Sequence, residues 1–566
     1  MKFKKIVDVF ENLEKNTSGN RIREILSDFF KKCPKSELRI SAYLLSGRIS
    51  SEYKGVITGM SNKLALRAVA VASKKDLKKI TKIYKKKGDV GFTAQKLIRR
   101  KTANLSVKKV FQMLNKIACA SGPKSQDIKI NSLAGLFRIA SPKEAKYIAR
   151  LAVGKMRLGA GDRAILDALL LAFTGSKAGS ENLRKAYQKN PDLGYLAERI
   201  AQRKLKGLKS VGISFKRPVK AMLAQRAKSF DEIFKKIKGP MAVEEKYDGE
   251  RMLVYVQGKN VRLFSRRLED ISSQYPDVVD CIQRNVKCKS CILDGECCAV
   301  KGKKLLHFQV LMKRRRKHNI EKYIKQIPVC LFLFDLLYLN KKSFLQKDYP
   351  SRYKALKSVL KRQTSCVRLA NRIVTKDPKK IQSFFNKMIK KGAEGVMIKS
   401  LSKDSNYKSG KRGWLWIKWK KEYAKGMIDT FDLVVVGGFK GHGVRAGTYG
   451  SLLCAVYDKK TKKYQTFTKL GSGFTKKQLK ELPRILNKYK IKEKHPKVNA
   501  KKQVKPDVWF KPVIVVEVLG AEITKSPLHT ANGLALRFPR FLRYRPDKSA
   551  KQATTVKEVL QFYEKK

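Results

Sequence analysis

One lysine of the sequence stands where it could act as a nucleophile. Lys246 lies in the segment E-E-K-Y-D-G-E-R at 244–251, where a glycine permits a tight turn before Arg251. A lysine with an ordinary pKa of about 10.4 is neutral in only about one molecule in several thousand at pH 7, so attack requires neighbouring cations or burial. Arg251, other basic side chains and a bound Mg²⁺ could supply this effect and neutralise phosphates under attack. The pattern indicates phosphoryl chemistry at Lys246, with a solvated lysine in a hairpin turn as the alternative.

Two acidic residues are candidates for holding a divalent cation. Glu296 and Glu394 stand out in a chain in which 129 Lys and Arg outnumber 46 Asp and Glu. Hard carboxylate oxygens suit Mg²⁺, which keeps much of its water and bridges to substrate phosphate. We therefore predict Glu296 and Glu394 as metal-binding residues, and the sequence leaves open which of them contacts the metal directly.

Three regions with different patterns of apolar residues must position these residues. From residue 1 to about 225 the apolar residues recur at helical spacing, and S-P-K-E at 141–144 is typical of a helix start with a capping box. Near residue 241 strands begin, including a hairpin at 252–264, and helices interrupt further strands up to about 425. Short strands with glycine turns follow and favour a small barrel. The predicted domains are 1–225, all-α; 226–425, α+β; and 426–566, a β-barrel.

The net charge of +83 predicts a polyanionic partner. Each phosphate that a lysine or arginine neutralises releases counterions, so such a chain would bind a nucleic acid backbone with steep salt dependence and little sequence preference. A general basic bias of the host's proteins is the alternative explanation of the charge. The charge alone indicates a class of binding partner and does not indicate which reaction the protein catalyses.

The ten cysteines are predicted to be reduced, because the chain has the features of an intracellular protein. No apolar stretch follows the initial M-K-F-K-K as in a signal peptide, and the longest apolar run, 329–339, is far shorter than the ~20 residues of a membrane span. Four thiols at 288, 291, 297 and 298 could in principle hold zinc. The segment from 291 to 300 alternates like a buried strand, however, so only some of these thiols would converge.

Further motifs follow the lysine segment in a fixed order. They are L-F-S-R-R-L-E-D at 263–270, I-L-D-G-E at 292–296, L-F-D-L at 333–336, E-G-V-M-I-K at 394–399, the stretch from 407 through 412 to W-I-K-W-K at 416–420, and L-R-F-P-R-F-L-R-Y-R-P-D-K at 536–548 with Q-A-T-T at 552–555. In this order the chain resembles the nucleotidyltransferase superfamily, and specifically the archaeal and eukaryotic ATP-dependent DNA ligases. The resemblance covers nearly the whole chain.

The resemblance implies an ATP-dependent DNA ligase that forms phosphodiester bonds at 5′-phosphate/3′-hydroxyl nicks in duplex DNA, in replication, repair and recombination. Lys246 would attack the α-phosphate of ATP, expel pyrophosphate and carry AMP; the AMP would pass to the 5′-phosphate and leave when the 3′-hydroxyl attacks. The three regions would be a helical DNA-binding domain, an adenylation (nucleotidyltransferase) domain and an OB-fold domain that encircle nicked DNA as a monomer. An intracellular, archaeal protein is implied.

The resemblance also assigns roles to individual residues. Glu244 would help to read the adenine, Phe334 would stack on the base, and Glu296 would hold the ribose or a metal-bound water. Phe334 alone fits core packing in a buried strand, and the order of the motifs favours stacking. The cations expected around the phosphates are Arg251, Arg266, Arg412, Lys399, Lys418 and Lys420. The terminal motif at 540–548 would swing over ATP about a hinge at 421–429.

Some features depart from the family or bear on rival families. The clamp-binding segment common in related archaeal ligases is missing at 100–106, so binding to a sliding clamp is possible but its usual segment is not found. An mRNA capping guanylyltransferase would share the lysine chemistry but not the terminal motif. An NAD-dependent ligase would carry a four-cysteine zinc module after the barrel, and RNA ligases lack the helical front domain. A basic DNA-binding scaffold explains the charge but not the motif order.

Overall fold

The computed structural model describes residues 1–99, 104–176, 178–227, 229–302, 304–314, 320–420, 430–442, 445–520 and 522–564. As predicted, the N-terminal region is helical. Its described helices are Phe3–Lys15 (α1), Gly19–Lys32 (α2), Leu38–Leu45 (α3), Asn62–Ser73 (α4), Leu77–Lys87 (α5), Val90–Leu97 (α6), Val107–Cys119 (α7), Ser125–Ile139 (α8), Pro142–Ala152 (α9), Asp162–Thr174 (α10), Ser180–Lys189 (α11) and Leu193–Lys209 (α12). The predicted capping box is present, since Ser141 N donates to Glu144 Oε2 at 2.9 Å and Glu144 N to Ser141 Oγ at 3.4 Å.

The central region mixes strands and helices, as the sequence predicts. Its elements are Leu223–Arg226 (β1), Phe230–Lys236 (α13), Met241–Lys246 (β2), Glu250–Gln257 (β3), Asn260–Ser265 (β4), Pro276–Asn285 (α14), Ser290–Lys301 (β5), Lys304–Leu305 (β6), Phe308–Arg314 (α15), Ile320–Gln326 (α16), Val329–Leu339 (β7), Lys342–Ser343 (β8), Tyr349–Val359 (α17), Val367–Leu369 (β9), Arg372–Thr375 (β10), Pro378–Lys390 (α18), Gly395–Ser400 (β11) and Arg412–Lys420 (β12). The hairpin predicted at 252–264 is confirmed as β3 and β4, which turn at Gly258 with φ +57°.

Two sheets of the central region face the candidate site. One has five strands in the order β1-β12-β11-β2-β10, with β1 parallel to β12 and the other pairs antiparallel. The other has β4-β3-β5-β7-β8, with β6 on β5 and β9 on β7. Helices α14 and α17 bury their apolar faces on the second sheet, and α13 and α18 bury theirs on the first. Burial of these faces supplies most of the favourable free energy of folding in this region.

The C-terminal region is rich in strands. Its elements are Thr430–Lys440 (β13), Tyr449–Asp458 (β14), Lys463–Leu470 (β15), Lys476–Leu486 (α19), Lys490–Ile491 (β16), Val498–Asn499 (β17), Val508–Phe510 (β18), Val515–Leu519 (β19), Glu522–Lys525 (β20), Leu534–Arg537 (β21), Arg540–Tyr544 (β22) and Val556–Glu564 (α20). Strand β13 pairs with β14, β18 and β19, so its sheet branches, and alternate residues of β13 and β14 contribute to two apolar clusters.

Two compact units divide the chain. The first comprises Met1–Met60, Ala103–Ile139 and Arg150–Lys425, and the second Ser61–Thr102, Ala140–Ala149 and Gly426–Lys566. The candidate site belongs to the first unit. None of the described helices is long and apolar enough to cross a membrane. The predicted hinge at 421–429 lies outside the described residues.

The cysteines correct one prediction and support another. Cys281 of α14 and Cys366 before β9 form a disulfide across 85 positions of sequence, so the expectation of reduced cysteines is wrong for this pair. The alternating strand predicted from residue 291 is confirmed as β5. Cys297 points into the core of the second sheet, whereas Cys298 packs with Tyr247 on the opposite face. These thiols therefore do not converge, and the described residues contain no cluster of metal-binding side chains.

Candidate active site

The nucleophile candidate lies at the end of a central strand. Lys246 is the last residue of β2, paired with Gly395 of β11, and its amine contacts the carboxylate of Glu394. Lys420, at the end of β12, contacts the other oxygen of the same carboxylate. The side chain of Lys246 remains 20% exposed, so it is anchored by Glu394 and still reachable from the cavity.

A glycine fixes the turn that follows the lysine. A Cβ atom at Gly249 would lie 2.3 Å from the carbonyl oxygen of Cys297 and 2.7 Å from the sulfur of Cys298. Contacts this short with backbone cannot be relieved by rotating a side chain, so the close approach of the turn to β5 requires glycine. The glycine of the motif thus holds Lys246 against the second sheet.

Arg251 is held by a buried hydrogen-bond network. Its Nε and Nη2 donate to the two carboxylate oxygens of Asp294 at 2.9 and 2.6 Å, and its Nη1 donates to the carbonyl of Met222 at 2.6 Å. Tyr407 donates to Asp294 at 2.7 Å. Burial opposes the charge on Arg251, but Asp294 overrides this effect and raises the arginine pKa. The bidentate pair therefore keeps Arg251 charged and in one orientation.

Asp294 and Tyr407 are site residues that the sequence argument missed. Asp294 lies two residues before Glu296 in the I-L-D-G-E motif, and its side chain is fully buried. A buried carboxylate needs a cationic partner, so this acid in an apolar strand was a usable signal. Nothing in the sequence around Tyr407 indicates that its hydroxyl binds Asp294.

Glu296 points into the same cavity and titrates abnormally. Burial raises its pKa to about 7, against the opposing attraction of Lys246 and Arg251. A carboxyl group of this kind exists in both protonation states near neutral pH, which is a common property of functional sites.

Glu244 lies two residues before Lys246 and on the same face of β2. One of its carboxylate oxygens accepts from the hydroxyl of Tyr349, and the other pairs with Lys399 at 2.7 Å. Burial lowers the pKa of Lys399, whereas Glu244 acts in the opposite direction. Lys399, expected beside phosphates, is thus held against the carboxylate that is expected to read the base.

Phe334 is half-buried in β7, with its ring on the cavity. It meets Trp416 edge-on at 6.1 Å between ring centroids, and the guanidinium of Arg251 lies 5.5 Å from its centroid. The ring packs partly against the core and lines the cavity as well, so the two interpretations of Phe334 are compatible in one residue.

A cavity of about 450 Å³ joins these side chains. It is lined by Leu223, Ala224, Glu244, Glu245, Lys246, Tyr247, Gly249, Glu250, Arg251, Ser265, Arg266, Arg267, Glu296, Phe308, Phe334, Met397, Lys399, Arg412, Trp416 and Lys418. The predicted nucleotide-binding residues other than Lys420 therefore line this cavity, and Lys420 lies beside it on Glu394. Glu394 reaches it through its contact with Lys246.

The open side of the cavity is cationic. Arg266 and Arg412 are exposed and Lys418 is half-buried. Burial lowers the pKa of Lys418, with further contributions from Lys246, Arg412 and Arg266. A site whose cations together lower the pKa of Lys418 is stabilised by a polyanion such as a triphosphate. The cavity is thus lined by the acceptor carboxylate of Glu244, by the candidate nucleophile Lys246 and by cations on its exposed side.

Comparison with known proteins identifies the family. Three family models match: the ATP-dependent DNA ligase domain over residues 221–420, the DNA ligase N terminus over 2–170, and the ATP-dependent DNA ligase C-terminal region over 445–548. The chain is 43% identical to DNA ligase 1 of Methanosarcina mazei, over 99% of each chain. The chain belongs to the ATP-dependent DNA ligases. The predicted activity, ATP-dependent DNA ligation with phosphodiester bond formation, is confirmed by this membership.

Other relatives also match over nearly the whole chain. DNA ligase 2 of Thermofilum pendens is 43% identical, over 99% of this chain and 96% of the other. Among solved structures, the one titled Pmar-Lig_PreS3 has a TM-score of 0.58 at 17% identity, covering 95% of this chain and 99% of that chain, and shows likeness of fold. The ligase architecture therefore spans the whole sequence, from helical region to strand-rich region.

The terminal ligase motif is anchored within the second unit. Arg545 donates to both oxygens of Asp432 at 3.0 and 3.1 Å, and Lys548 reaches Asp432 at 2.6 Å. Arg545 also pairs with Asp547 at 2.7 Å. These contacts tie the end of the motif to the first strand of the region, β13.

Proposed function

We propose that this ligase seals 5′-phosphate/3′-hydroxyl nicks in duplex DNA by way of a lysyl-AMP on Lys246 and an adenylated DNA. The observation that carries the proposal is the position of the Lys246 amine, which is paired with Glu394 inside a cavity whose mouth is lined by cations. The motif order alone indicates the family and not which side chains meet. The assembly of amine, carboxylate and cations in one cavity supports the reaction at this lysine.

The first step is a displacement at phosphorus. A bond forms between the Nζ of Lys246 and the α-phosphorus of ATP, and the bond from that phosphorus to the bridging oxygen of pyrophosphate breaks. The attacking amine must give up protons, and the carboxylate of Glu394 is in contact with it. In the second step the 5′-phosphate of the nick takes the AMP, and in the third the 3′-hydroxyl displaces it. Positioning and neutralisation of charge dominate such displacements.

The side chains around the cavity divide into two groups. Glu244 and Phe334 lie at the base-binding end, where the carboxylate accepts from the adenine amino group and the ring stacks on the base. Arg266, Arg412 and Lys418 lie at the mouth and neutralise the phosphates. Glu296 lines the same cavity and holds the ribose or a metal-bound water. Arg251 orients Asp294 through two hydrogen bonds and supports Phe334, whose ring centroid lies 5.5 Å from its guanidinium.

Magnesium is the divalent cation that this site suits. The described residues contain no cluster of three or more metal-binding side chains, whereas Mg²⁺ commonly takes one or two carboxylates together with water and substrate phosphate. Glu296 and Glu394 are carboxylates of this kind and would hold it. When bound, the ion supplies further neutralisation of the phosphates.

Each of three domains is proposed to have its own role in binding and joining DNA. The domains are 1–225 for DNA binding, 226–425 for adenylation and 426–566 for an OB-fold that carries the terminal motif. Together they encircle nicked duplex DNA as a monomer, with the +83 charge directed at the phosphate backbone. Roles in replication, repair and recombination follow from this substrate. The usual clamp-binding segment is missing from the sequence at 100–106, of which 100–103 lie outside the described residues, so we propose DNA binding without that tether.

The test is transfer of labelled AMP. Wild-type protein and the Lys246→Ala variant are incubated with Mg²⁺ and ATP labelled at the α-phosphate, and nicked duplex is then added. Lys420→Ala serves as a matched control, because it removes the other ammonium on Glu394 and leaves the nucleophile in place. We expect stable label on wild type, weaker label on Lys420→Ala and none on Lys246→Ala, with discharge and joined product on addition of the nick. Equal label on Lys246→Ala would refute the assignment of the nucleophile.

A further inference from the structure

Tyr349 is a buried tyrosine whose hydroxyl lies behind the base-binding end of the cavity. It is the first residue of α17, it has no exposed surface, and its backbone amide is fixed by the Ser405 hydroxyl at 2.9 Å. Its own hydroxyl donates to Oε1 of Glu244. The residue does not line the cavity itself, so any role in catalysis is exerted through Glu244.

Lys399 completes a closed network with Tyr349 and Glu244. Its ammonium lies 2.7 Å from Oε2 of Glu244 and 3.3 Å from the Tyr349 hydroxyl oxygen. Both the ammonium and the hydroxyl also lie 3.2 Å from the carbonyl oxygen of Phe334. The two donors therefore tie the carboxylate of Glu244 to the strand that carries the aromatic ring of the cavity.

The network fixes the direction of the carboxylate's remaining lone pairs. A carboxylate offers about four acceptor positions, and Tyr349 and Lys399 occupy one on each oxygen. Each oxygen keeps a further acceptor position, and Glu244 lines the cavity. Burial raises the pKa of Tyr349 well above its ordinary value, so this hydroxyl stays protonated and acts as a donor. Rotation of Glu244 would break one of the two contacts.

A fixed acceptor at this place discriminates between purine bases. The 6-amino group of adenine donates a hydrogen bond, whereas the 6-oxo group of hypoxanthine or guanine is an acceptor and would face the carboxylate without a proton between them. A buried acceptor left unpaired is costly, which makes such a site more selective than a hydrophobic pocket. Selectivity depends on the carboxylate being held, because a mobile one could turn away from the oxo group.

We propose that Tyr349 is a specificity-determining positioning residue, which with Lys399 holds Glu244 so that the ligase accepts a 6-amino purine nucleotide and rejects a 6-oxo purine. The inference rests on the proposed function, since it assumes that Glu244 faces the base of the adenylate donor. Tyr349 touches no substrate atom. Its effect is on the choice of nucleotide in the first step.

The test compares two donors in one variant. Full-length Tyr349→Phe and wild type are incubated with Mg²⁺ and either ATP or ITP, each labelled at the α-phosphate, and kcat and KM for self-labelling are measured. Tyr353→Phe is the matched control, because this half-buried tyrosine lies one turn further along α17 and its ring contacts Arg372 rather than Glu244. We expect kcat/KM for ATP to fall about tenfold in Tyr349→Phe, mainly through KM. ITP labelling should be unchanged or improved, and Tyr353→Phe should match wild type.

The ratio between donors separates positioning from general damage. A variant that folds poorly loses labelling with both donors alike, so an unchanged ATP-to-ITP ratio in Tyr349→Phe overturns the inference whatever the absolute rate. A wild type that labels equally well with ATP and ITP overturns it also. If wild type takes label from neither donor, the proposed function fails and the inference fails with it; if wild type is labelled and Lys246→Ala is not, the proposed function stands regardless of Tyr349.

Discussion

Replacing Glu296 with glutamine tests the electrostatics of the cavity, because the amide keeps the shape of the carboxyl group and cannot ionise. In the folded chain, burial raises the pKa of Glu296 from its ordinary 4.5 to about 7. At 1.36 kcal/mol per pH unit, this difference makes ionised Glu296 cost about 3 kcal/mol of folding free energy. The carboxyl group is therefore retained at the expense of stability.

The sign of the effect sets the pH window. A carboxyl with a raised folded-state pKa leaves stability at its full value below about pH 4.5, and stability falls as pH rises through about 7. Glu296→Gln has no ionisable group at this position, so its stability does not fall for this reason as pH rises. We expect it to match wild type near pH 4.5 and to exceed it by about 3 kcal/mol at pH 8, which corresponds to roughly 6 to 12 °C in the transition of a domain of this size. Self-labelling with ATP should fall at the same time.

The assay is thermal unfolding of the full-length chain from pH 4.5 to 8, in EDTA and without nucleotide, so that neither metal nor ligand contributes. Glu321→Gln, at an exposed position of α16, is the matched control for loss of one negative charge. The reasoning is refuted if Glu296→Gln is no more stable than wild type at pH 8. It is also refuted if the difference between the two proteins is the same at every pH.

Contacts in the central region lead to three further expected outcomes. Gly249→Ala puts a Cβ 2.3 Å from the carbonyl oxygen of Cys297, so Lys246 must shift, and we expect self-labelling to fall about 100-fold. Arg352→Met leaves Asp335 buried and unpaired, which should cost about 3–5 kcal/mol in denaturant unfolding. Cys281→Ser removes a cross-link spanning 85 positions and should lower the free energy of unfolding by up to about 4.5 kcal/mol without reductant.

Each of these outcomes has a control in the same chain. Gly212→Ala meets no atom within 4 Å and should label normally, so an equal loss in both glycine variants would contradict the contact argument. Adding Asp335→Leu to Arg352→Met removes the unpaired charge and should restore most of the stability. Wild type treated with dithiothreitol should unfold like Cys281→Ser, and an unchanged transition would argue against the cross-link.

Local structure was predicted where one short segment contained all the information. The hairpin at 252–264 and the capping box at 141–144 depend on neighbouring residues alone, and both are present. Strand Leu223–Arg226 was missed, since its four residues show no alternation and it forms by pairing with β12, about 190 positions later. The disulfide was missed for the same reason, because sequence spacing does not show which thiols meet.

The sequence predicted which residues form the site but not which of them contact one another. Lys246, Glu244, Phe334 and the three cations of the mouth lie at one cavity. The sequence grouped Arg251 with the phosphate ligands but did not indicate its partner Asp294, which the pairing of β3 with β5 brings within its reach. Tyr349 could not be recognised, because a tyrosine at the start of a helix has the pattern of a core aromatic until its hydroxyl is seen against Glu244.

The carboxylate shared by Lys246 and Lys420 loses one ammonium partner in the proposed reaction. In the proposed first step the Lys246 ammonium, with charge +1, becomes a neutral phosphoramidate nitrogen, while the α-phosphoryl oxygen keeps the −1 that it carried in ATP, so the centre of the cavity loses one positive charge. Of the two ammonium groups that contact Glu394 before the reaction, that of Lys420 then remains. The pyrophosphate formed in this step therefore lies near fewer cations than the bound triphosphate did. In the proposed reaction, loading the lysine thus weakens the attraction between the cavity and the leaving pyrophosphate.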